Sequence, residues 1–218
     1  MKNANPAVPP RAAVFDFGGV ISEFPKTEYL ENVAAISGLG MDALMRGFST
    51  HRTLFDAGRI DCAEMYERML EEAGMPRPDE KKMHEIYCAD SESWAHPREE
   101  TRRLFEHLRG RGWRTGILTN MSAEFAADYF FPRFGALASA ADAVVVSSHE
   151  GTVKPEPRIY GIMEERLGLP PESIYFFDDA QKNVDAALAR GWNAMLYSHA
   201  PGAAAAALEF LGEAGIRD

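Results

Sequence analysis

Cysteine is nearly absent from this chain: 218 residues contain two, Cys62 and Cys88, without CxxC spacing. That excludes a disulfide framework and a cysteine-based zinc site, and leaves two reduced thiols in helix-like segments. No run approaches the ~18 apolar residues of a membrane span, and the opening MKNANPAVPPRA lacks the apolar centre of a signal peptide. A cytoplasmic protein with no membrane partner is therefore expected, with residues 1–11 as a flexible N-terminus. Basic residues are also scarce, 23 Lys plus Arg against 33 Asp plus Glu, for a formal charge of −10. A polyanion requires clustered cations, so nucleic acid is not an expected partner, although a small anion needs only one locally positive site. No aromatic platform for single-stranded nucleic acid is visible, and Trp94, Trp113 and Trp192 read as core or boundary anchors.

What the chain does have is a hydrophobic fraction of 46%, ample for a sizeable core. Five short segments rich in Val, Ile or aromatics read as strands: Ala13–Phe17, Thr115–Thr119, Ala143–Ser147, Ile174–Asp178 and Ala194–Tyr197. Helical patterns cover Glu99–Arg109, Ser122–Phe130, Pro157–Leu167, Gln181–Arg190 and Ala203–Leu211, with Ser122 as an N-cap and Gly191 as a stop. Strands alternating with helices imply an α/β fold with a parallel, doubly wound sheet.

One connection breaks the alternation. About a hundred residues separate the first strand from Thr115, where a crossover needs only a dozen or so. From Thr27 to Ala89 the patterns are helical only, interrupted by GLG, DAGRID and MPRPDE. An inserted, all-helical cap over residues 25–96 is expected, with the core formed by 12–24 and 97–218. Emerging just after Asp16, such a cap would cover whatever Asp16 does, since ligand sites favour domain interfaces.

Asp16 itself poses the chemical question, because AVFDFGGVI ends a buried strand in a carboxylate. An ionised carboxylate is costly to bury unless it is paired or bound to a metal. In open α/β sheets, ligands gather at the carboxyl ends of the strands. Those ends collect Asp16, Thr119 and Asn120 in ILTN, Lys154 beyond the third strand, and Asp178 and Asp179 in FFDD. Three carboxylates form an oxygen-rich set suited to Mg2+, Lys154 adds a positive charge, and Thr119 and Asn120 are hydrogen-bond donors. Carboxylate, hydroxyl, ammonium and Mg2+ are what phosphoryl transfer through an aspartyl-phosphate requires.

With these residues in order, the sequence resembles the haloacid dehalogenase superfamily. VFDFGGVI is similar to its first motif, GILTN to its second, VKPEPRIY to its third and YFFDDAQKNVDAA to its fourth, across residues 12 to 197. The resemblance implies a modified Rossmann-like sheet of order 5-4-1-2-3 with a helical cap of the first type. It implies Asp16 as nucleophile, Thr119 and Lys154 as catalytic partners, and Gly18, Gly19, Asn120 and Lys154 around the phosphate. For Mg2+ it implies Asp16, the Gly18 carbonyl and Asp179 as ligands, with Asp178 acting mainly through water and Asn183 in a supporting place. The nearest likeness is to phosphatases resembling the N-terminal domain of soluble epoxide hydrolase and to sugar-phosphate phosphatases. The expected activity is Mg2+-dependent hydrolysis of a small phosphorylated metabolite by a monomer or homodimer.

One position departs from that pattern. The family's phosphatases usually carry a second Asp two residues after the nucleophile as general acid and base, and here Gly18 stands there. General acid help is worth ~10²–10⁴ in rate. The departure keeps two other readings open: a metal-free 2-haloacid dehalogenase, and a weakly active or non-catalytic protein that binds a phosphate ligand or holds a phosphoryl group as a switch. Against the dehalogenase, a metal-free site for a carboxylate substrate has little use for two further negative charges. Glu23, His51 and His149 are candidates to replace the missing acid, and Arg46, His51, Arg52 and Arg59 are cap residues able to face an anion.

Overall fold

The computed structural model describes residues 10–213, so most of the N-terminal segment expected to be loose lies outside the described residues. Within them, Arg11 reaches Glu213 at 3.0 Å and lies 4.0 Å over the Trp113 ring. Strand β1 (Ala12–Phe15) has every residue buried, as an apolar run covered on both faces should. It pairs in parallel with β2 (Arg114–Thr119) on one side and β4 (Ile174–Asp178) on the other. β3 (Ala143–Val146) and β5 (Asn193–Leu196) form the two edges, also parallel. The order β3-β2-β1-β4-β5 is the expected 5-4-1-2-3 viewed from the opposite edge.

The two-residue alternation of strands divides the core. Phe15 and Phe177 face one cluster with Leu104, Phe105 and Leu108 of α5 (Glu99–Gly110). Val14 and Phe176 face the other with Ile159, Tyr160 and Met163 of α9 (Pro157–Leu167). Helices α10 (Gln181–Ala189) and α11 (Ala203–Leu211) complete the two layers.

Between Thr27 and Ser93 the chain forms four helices, α1 (Thr27–Ser37), α2 (Met41–Asp56), α3 (Cys62–Glu72) and α4 (Glu80–Ser93). Asp61 and Asp79 cap α3 and α4 through the Glu64 and Lys82 N–H groups, and Gly38 ends α1 at φ 78°. These helices bury their own apolar cluster, including Leu44, Met65, Tyr66, Leu70 and Ile86. The chain enters and leaves them through a paired stem: Glu23 N–H donates to His96 O at 2.8 Å, Arg98 N–H to Ile21 O at 2.8 Å, and Ser22 bridges Pro97. The Ser22 hydroxyl also donates to the Trp94 carbonyl.

Two segments differ from the sequence expectation. The helix beginning at Ser122 does not stop at Phe130: α6 (Ala123–Phe125) runs through a wide π-helical turn, Ala126–Phe130, into α7 (Phe131–Ala140). Pro132 argues for a stop, but it falls in the first turn of α7, where a missing N–H is tolerated. The third strand ends at Val146, and Ser147–Glu150 forms a short helix, α8, rather than extended chain. Among the described residues no helix is long and apolar enough to cross a membrane.

Candidate active site

Asp16 follows β1 directly, and its N–H still donates to Phe177 O at 2.9 Å, so the sheet sets its position. Its Oδ1 accepts from the Phe17 N–H at 2.6 Å and lies 2.7 Å from Lys154 Nζ. The same ammonium donates to Asp178 Oδ2 at 2.7 Å. Asp178, with no exposed surface, spends its other oxygen on the Ala180 N–H and Asn183 Nδ2, each at 2.9 Å. Asn183 is fixed in turn by the Tyr160 hydroxyl, which donates to its carbonyl at 3.0 Å. Asn120 grips the main chain of Lys154 on both sides, accepting from its N–H at 2.7 Å and donating to its carbonyl at 3.0 Å.

Asp179, next along the chain, is partly exposed, with His199 Nε2 3.5 Å from its Oδ2. Gly19 is the residue this approach demands. Its φ is +74°, and a Cβ there would stand 2.4 Å from Asp179 Oδ2. Thr119 is buried at the end of β2, its hydroxyl making only a long contact to Asn120 O at 3.4 Å. The expected residues Asp16, Lys154, Asp178 and Asp179 are thus brought into one cluster, with Asn120 and Asn183 holding two of them from behind.

The charges do not balance. Burial pushes the Asp16 carboxyl well above its ordinary range, opposed by Lys154 and reinforced by Asp178 and Asp179. Asp179 is raised too, by burial and then by Asp178. Burial works against the Lys154 charge, yet Asp16 and Asp178 raise it above its usual value, so it stays an ammonium. One cation faces three carboxylates. Asp16, Asp178 and Asp179 offer oxygens that all lie within 4.8 Å of one another, a hard-donor set that fits a small divalent cation such as Mg2+.

The cluster opens into a cleft of about 370 Å³, a volume typical of small-molecule sites. Asp16, Gly18, Asn120, Asp179 and Lys182 line its sheet side. The helical insertion contributes Arg52, Phe55 and Asp56 from α2 and Tyr87, Asp90, Ser91 and Trp94 from α4 and its end. Arg52 Nη2 lies 3.3 Å from Asp90 Oδ1. Of the four basic cap residues considered from sequence, Arg52 alone lines this cleft: Arg46 and Arg59 are exposed elsewhere, and His51 is buried against Glu72 at 2.9 Å. The proposed substitutes for an acid at position 18 are not in the cleft wall either. Glu23 pairs with Lys26 at 3.4 Å, His51 is engaged by Glu72, and His149 is exposed on α8.

Asp56, Asp90 and Lys182 are charged cleft residues that sequence reasoning passed over, and Trp94, read from sequence as an anchor, lines the same cleft. Asp56 ends α2 in the break LFDAGRID, and only folding brings that break to the strand ends.

The comparisons agree with this geometry. A family model described as haloacid dehalogenase-like hydrolase matches residues 10–191. The chain is 31% identical over 188 residues to Phosphatase MT3486 of Mycobacterium tuberculosis, covering 85% of this chain and 86% of that one. Among solved structures it is similar to a family enzyme from Bacteroides thetaiotaomicron in complex with magnesium and inorganic phosphate, at TM-score 0.69 and 20% identity, over 87% and 95% of the two chains. It is similar as well to L-2-haloacid dehalogenase of Xanthobacter autotrophicus with chloropropionic acid covalently bound, at TM-score 0.64 and 20% identity, over 93% and 83%.

Proposed function

Because the chain belongs to the haloacid dehalogenase-like hydrolases, we propose that the cluster around Asp16 is the centre of a Mg2+-dependent phosphatase acting on a small phosphorylated metabolite. The observation that carries this reading is the arrangement of Lys154 at 2.7 Å from both Asp16 and Asp178 with Asp179 beside them, which leaves a deficit of positive charge that a divalent cation fills. Asp16, Asp179 and the Gly18 carbonyl would hold Mg2+, and Asp178, whose oxygens are already engaged, would act through water. When bound, the ion neutralises phosphate oxygens and supports the charge that develops on them.

The remaining work falls to the chain's own side chains. Asp16 attacks phosphorus in line, forming an aspartyl-phosphate that water later hydrolyses. Lys154 screens Asp16 from the incoming dianion and, with the Thr119 hydroxyl and the main chain at Asn120, whose side chain holds Lys154, faces the equatorial oxygens. Gly18 and Gly19 let the main chain pass close to Trp94 and Asp179, where side chains would collide, and so bring its polar groups to the phosphate. Residues 25–96 serve as a cap domain that encloses the substrate against these strand ends and excludes water. The similarity to Phosphatase MT3486 over most of both chains supports this reading over a metal-free dehalogenase, for which Asp178 and Asp179 would repel a carboxylate substrate.

The test is phosphate release from para-nitrophenyl phosphate with Mg2+ and with chelator, for the natural protein and Asp16→Asn. Release that needs Mg2+ and disappears in the variant is the expected result. Chloride release from a 2-haloacid in chelator, without phosphate release, would transfer the site to dehalogenation; neither activity would leave a protein that binds its phosphate ligand without turning it over.

A further inference from the structure

An alkyl phosphate does not leave an aspartate nucleophile easily unless its oxygen receives a proton. Position 18 cannot supply one. It is glycine, and an indole ring occupies the space a side chain would need: a Cβ on Gly18 would stand 2.9 Å from Trp94 Cζ3 and 3.3 Å from its Cε3. We propose that Asp56, at the end of α2, is the group that protonates the leaving oxygen and then activates water, acting from the helical insertion across the cleft from Asp16. This inference rests on the phosphatase reading above.

Three observations on Asp56 support it. It lines the same cleft as Asp16, and its carboxylate makes no hydrogen bond to any described residue. Asp90, the other insertion carboxylate in the cleft, is committed to Arg52 and buried to 3% exposure. The main chain at Asp56 is also fastened to the sheet side. Ser147 Oγ donates to the Asp56 carbonyl at 2.5 Å while accepting from the Met121 N–H at 2.8 Å, two residues beyond Thr119. Gly58, at φ +68°, packs so closely on α8 that a Cβ would stand 3.0 Å from the Ser148 carbonyl. A residue so anchored holds its place relative to the strand ends, which a proton donor requires. Finally, burial pushes its carboxyl up to about 6, with Arg52 opposing and Asp90 adding to the rise, so that near neutrality both protonation states are accessible.

The proton and electron balance closes without another reagent. As Asp16 Oδ bonds to phosphorus, the bond to the leaving oxygen breaks, its electron pair stays on that oxygen, and the Asp56 proton joins it to give the free alcohol. The Asp56 carboxylate then takes a proton from water as the water oxygen bonds to phosphorus and the Asp16 carboxylate departs. Inorganic phosphate is released and Asp56 is again protonated. The charged groups whose fields act on Asp56 are Arg52 on its own helix, Asp90 on α4, Lys154 beyond α8 and Lys182 on α10. Their balance sets the pH at which the acid form is lost.

The experiment measures kcat/KM with Mg2+ for para-nitrophenyl phosphate, whose leaving group needs little protonation, and for propyl phosphate, whose leaving group needs it fully. The ratio of the two, taken on one preparation, is independent of how much of a variant is folded. Asp56→Asn should depress the propyl-to-aryl ratio by ~10²-fold or more, and Asp56→Glu should recover part of it. In the natural protein the propyl reaction should fall as pH rises above the acid's titration, and that limb should be missing in Asp56→Asn. A ratio unchanged by Asp56→Asn, or a natural protein that cleaves only the aryl ester, overturns the role of Asp56. Aryl hydrolysis that survives Asp16→Asn overturns the phosphatase reading itself, so the two failures are separate.

Discussion

Trp94 stands over Gly18 so closely that its ring and any side chain at position 18 exclude each other. Placing an aspartate at position 18 should therefore harm this protein rather than improve it. Gly18→Asp is expected to lower stability by about 1–3 kcal/mol through overpacking. Combining it with Trp94→Ala should cost less than the sum of the single changes by about 0.5–3 kcal/mol. Urea unfolding of the four proteins measures that coupling; strict additivity would show that the indole is not the obstacle.

Lys154 is the sole ammonium within reach of Asp16 and Asp178 among the described residues, and it is 2% exposed. Lys154→Met removes the counter-charge and leaves buried carboxylates facing one another. Breaking a buried pair from one side costs about 3–5 kcal/mol. The loss should be partly reversed by millimolar Mg2+, which supplies positive charge to the same oxygens. Thermal unfolding with and without the ion reads both effects.

Asp16→Asn should do the reverse in chelator. Burial, Asp178 and Asp179 all disfavour its ionised form, so the neutral amide relieves repulsion while Lys154 keeps Asp178. A gain of about 0.5–2 kcal/mol is expected, with turnover lost, as is common where a site is tuned for function. Mg2+ should stabilise the natural protein more than the variant, because a ligand adds stability only through the state that binds it. A variant less stable than the natural protein in chelator would contradict this charge assignment.

Asp56 gives the stability curve a defined pH dependence. Its carboxyl is pushed up to about 6 in the fold, against 3.8 for the unperturbed group, by burial and by Asp90 despite Arg52. Below the unfolded value both states are protonated and nothing is lost. Between the two values the unfolded chain ionises first, so stability falls as pH rises, and above about 6 the loss is constant. Asp56→Asn carries no such loss. Its advantage over the natural protein should grow from nothing below about pH 3 to roughly 3 kcal/mol above pH 6.5. Denaturant titrations of both across that window check the sign.

The sheet was legible because its strands are apolar runs closed by glycine or by a polar residue, and Ile174–Asp178 and Pro157–Leu167 have the very bounds their patterns suggested. Asp16, Lys154, Asp178 and Asp179 were legible as a set because parallel strands deliver their carboxyl ends to one edge. The order of the strands came from likeness to a family, since periodicity alone cannot rank five similar segments. Of the cleft's far wall, only Arg52 was among the residues that the sequence singled out as able to face an anion. Asp56 and Trp94 belong to helical stretches whose local patterns say only which face is apolar, and their approach to Asp16 and Gly18 is a matter of how separate elements dock. The continuation of the helix past Pro132 was hidden for a similar reason, as a wide turn just ahead of the proline absorbs what would otherwise be a break.

The stem at Ser22–Glu23 and His96–Arg98 joins the two ends of the helical insertion side by side. From the standpoint of the sheet, the whole insertion is then one closed side branch, entered and left at one stem, crossing no strand, and lying back on the core at contacts such as Ser147 with Asp56. Swapping it for a helical unit of another size would change neither the register of β1 with its neighbours nor the placement of Asp16, since a branch grafted onto a paired stem leaves the trunk's hydrogen bonds intact. Only the parts of the branch that lie back on the core, Asp56 among them, tie its size and shape to the strand ends.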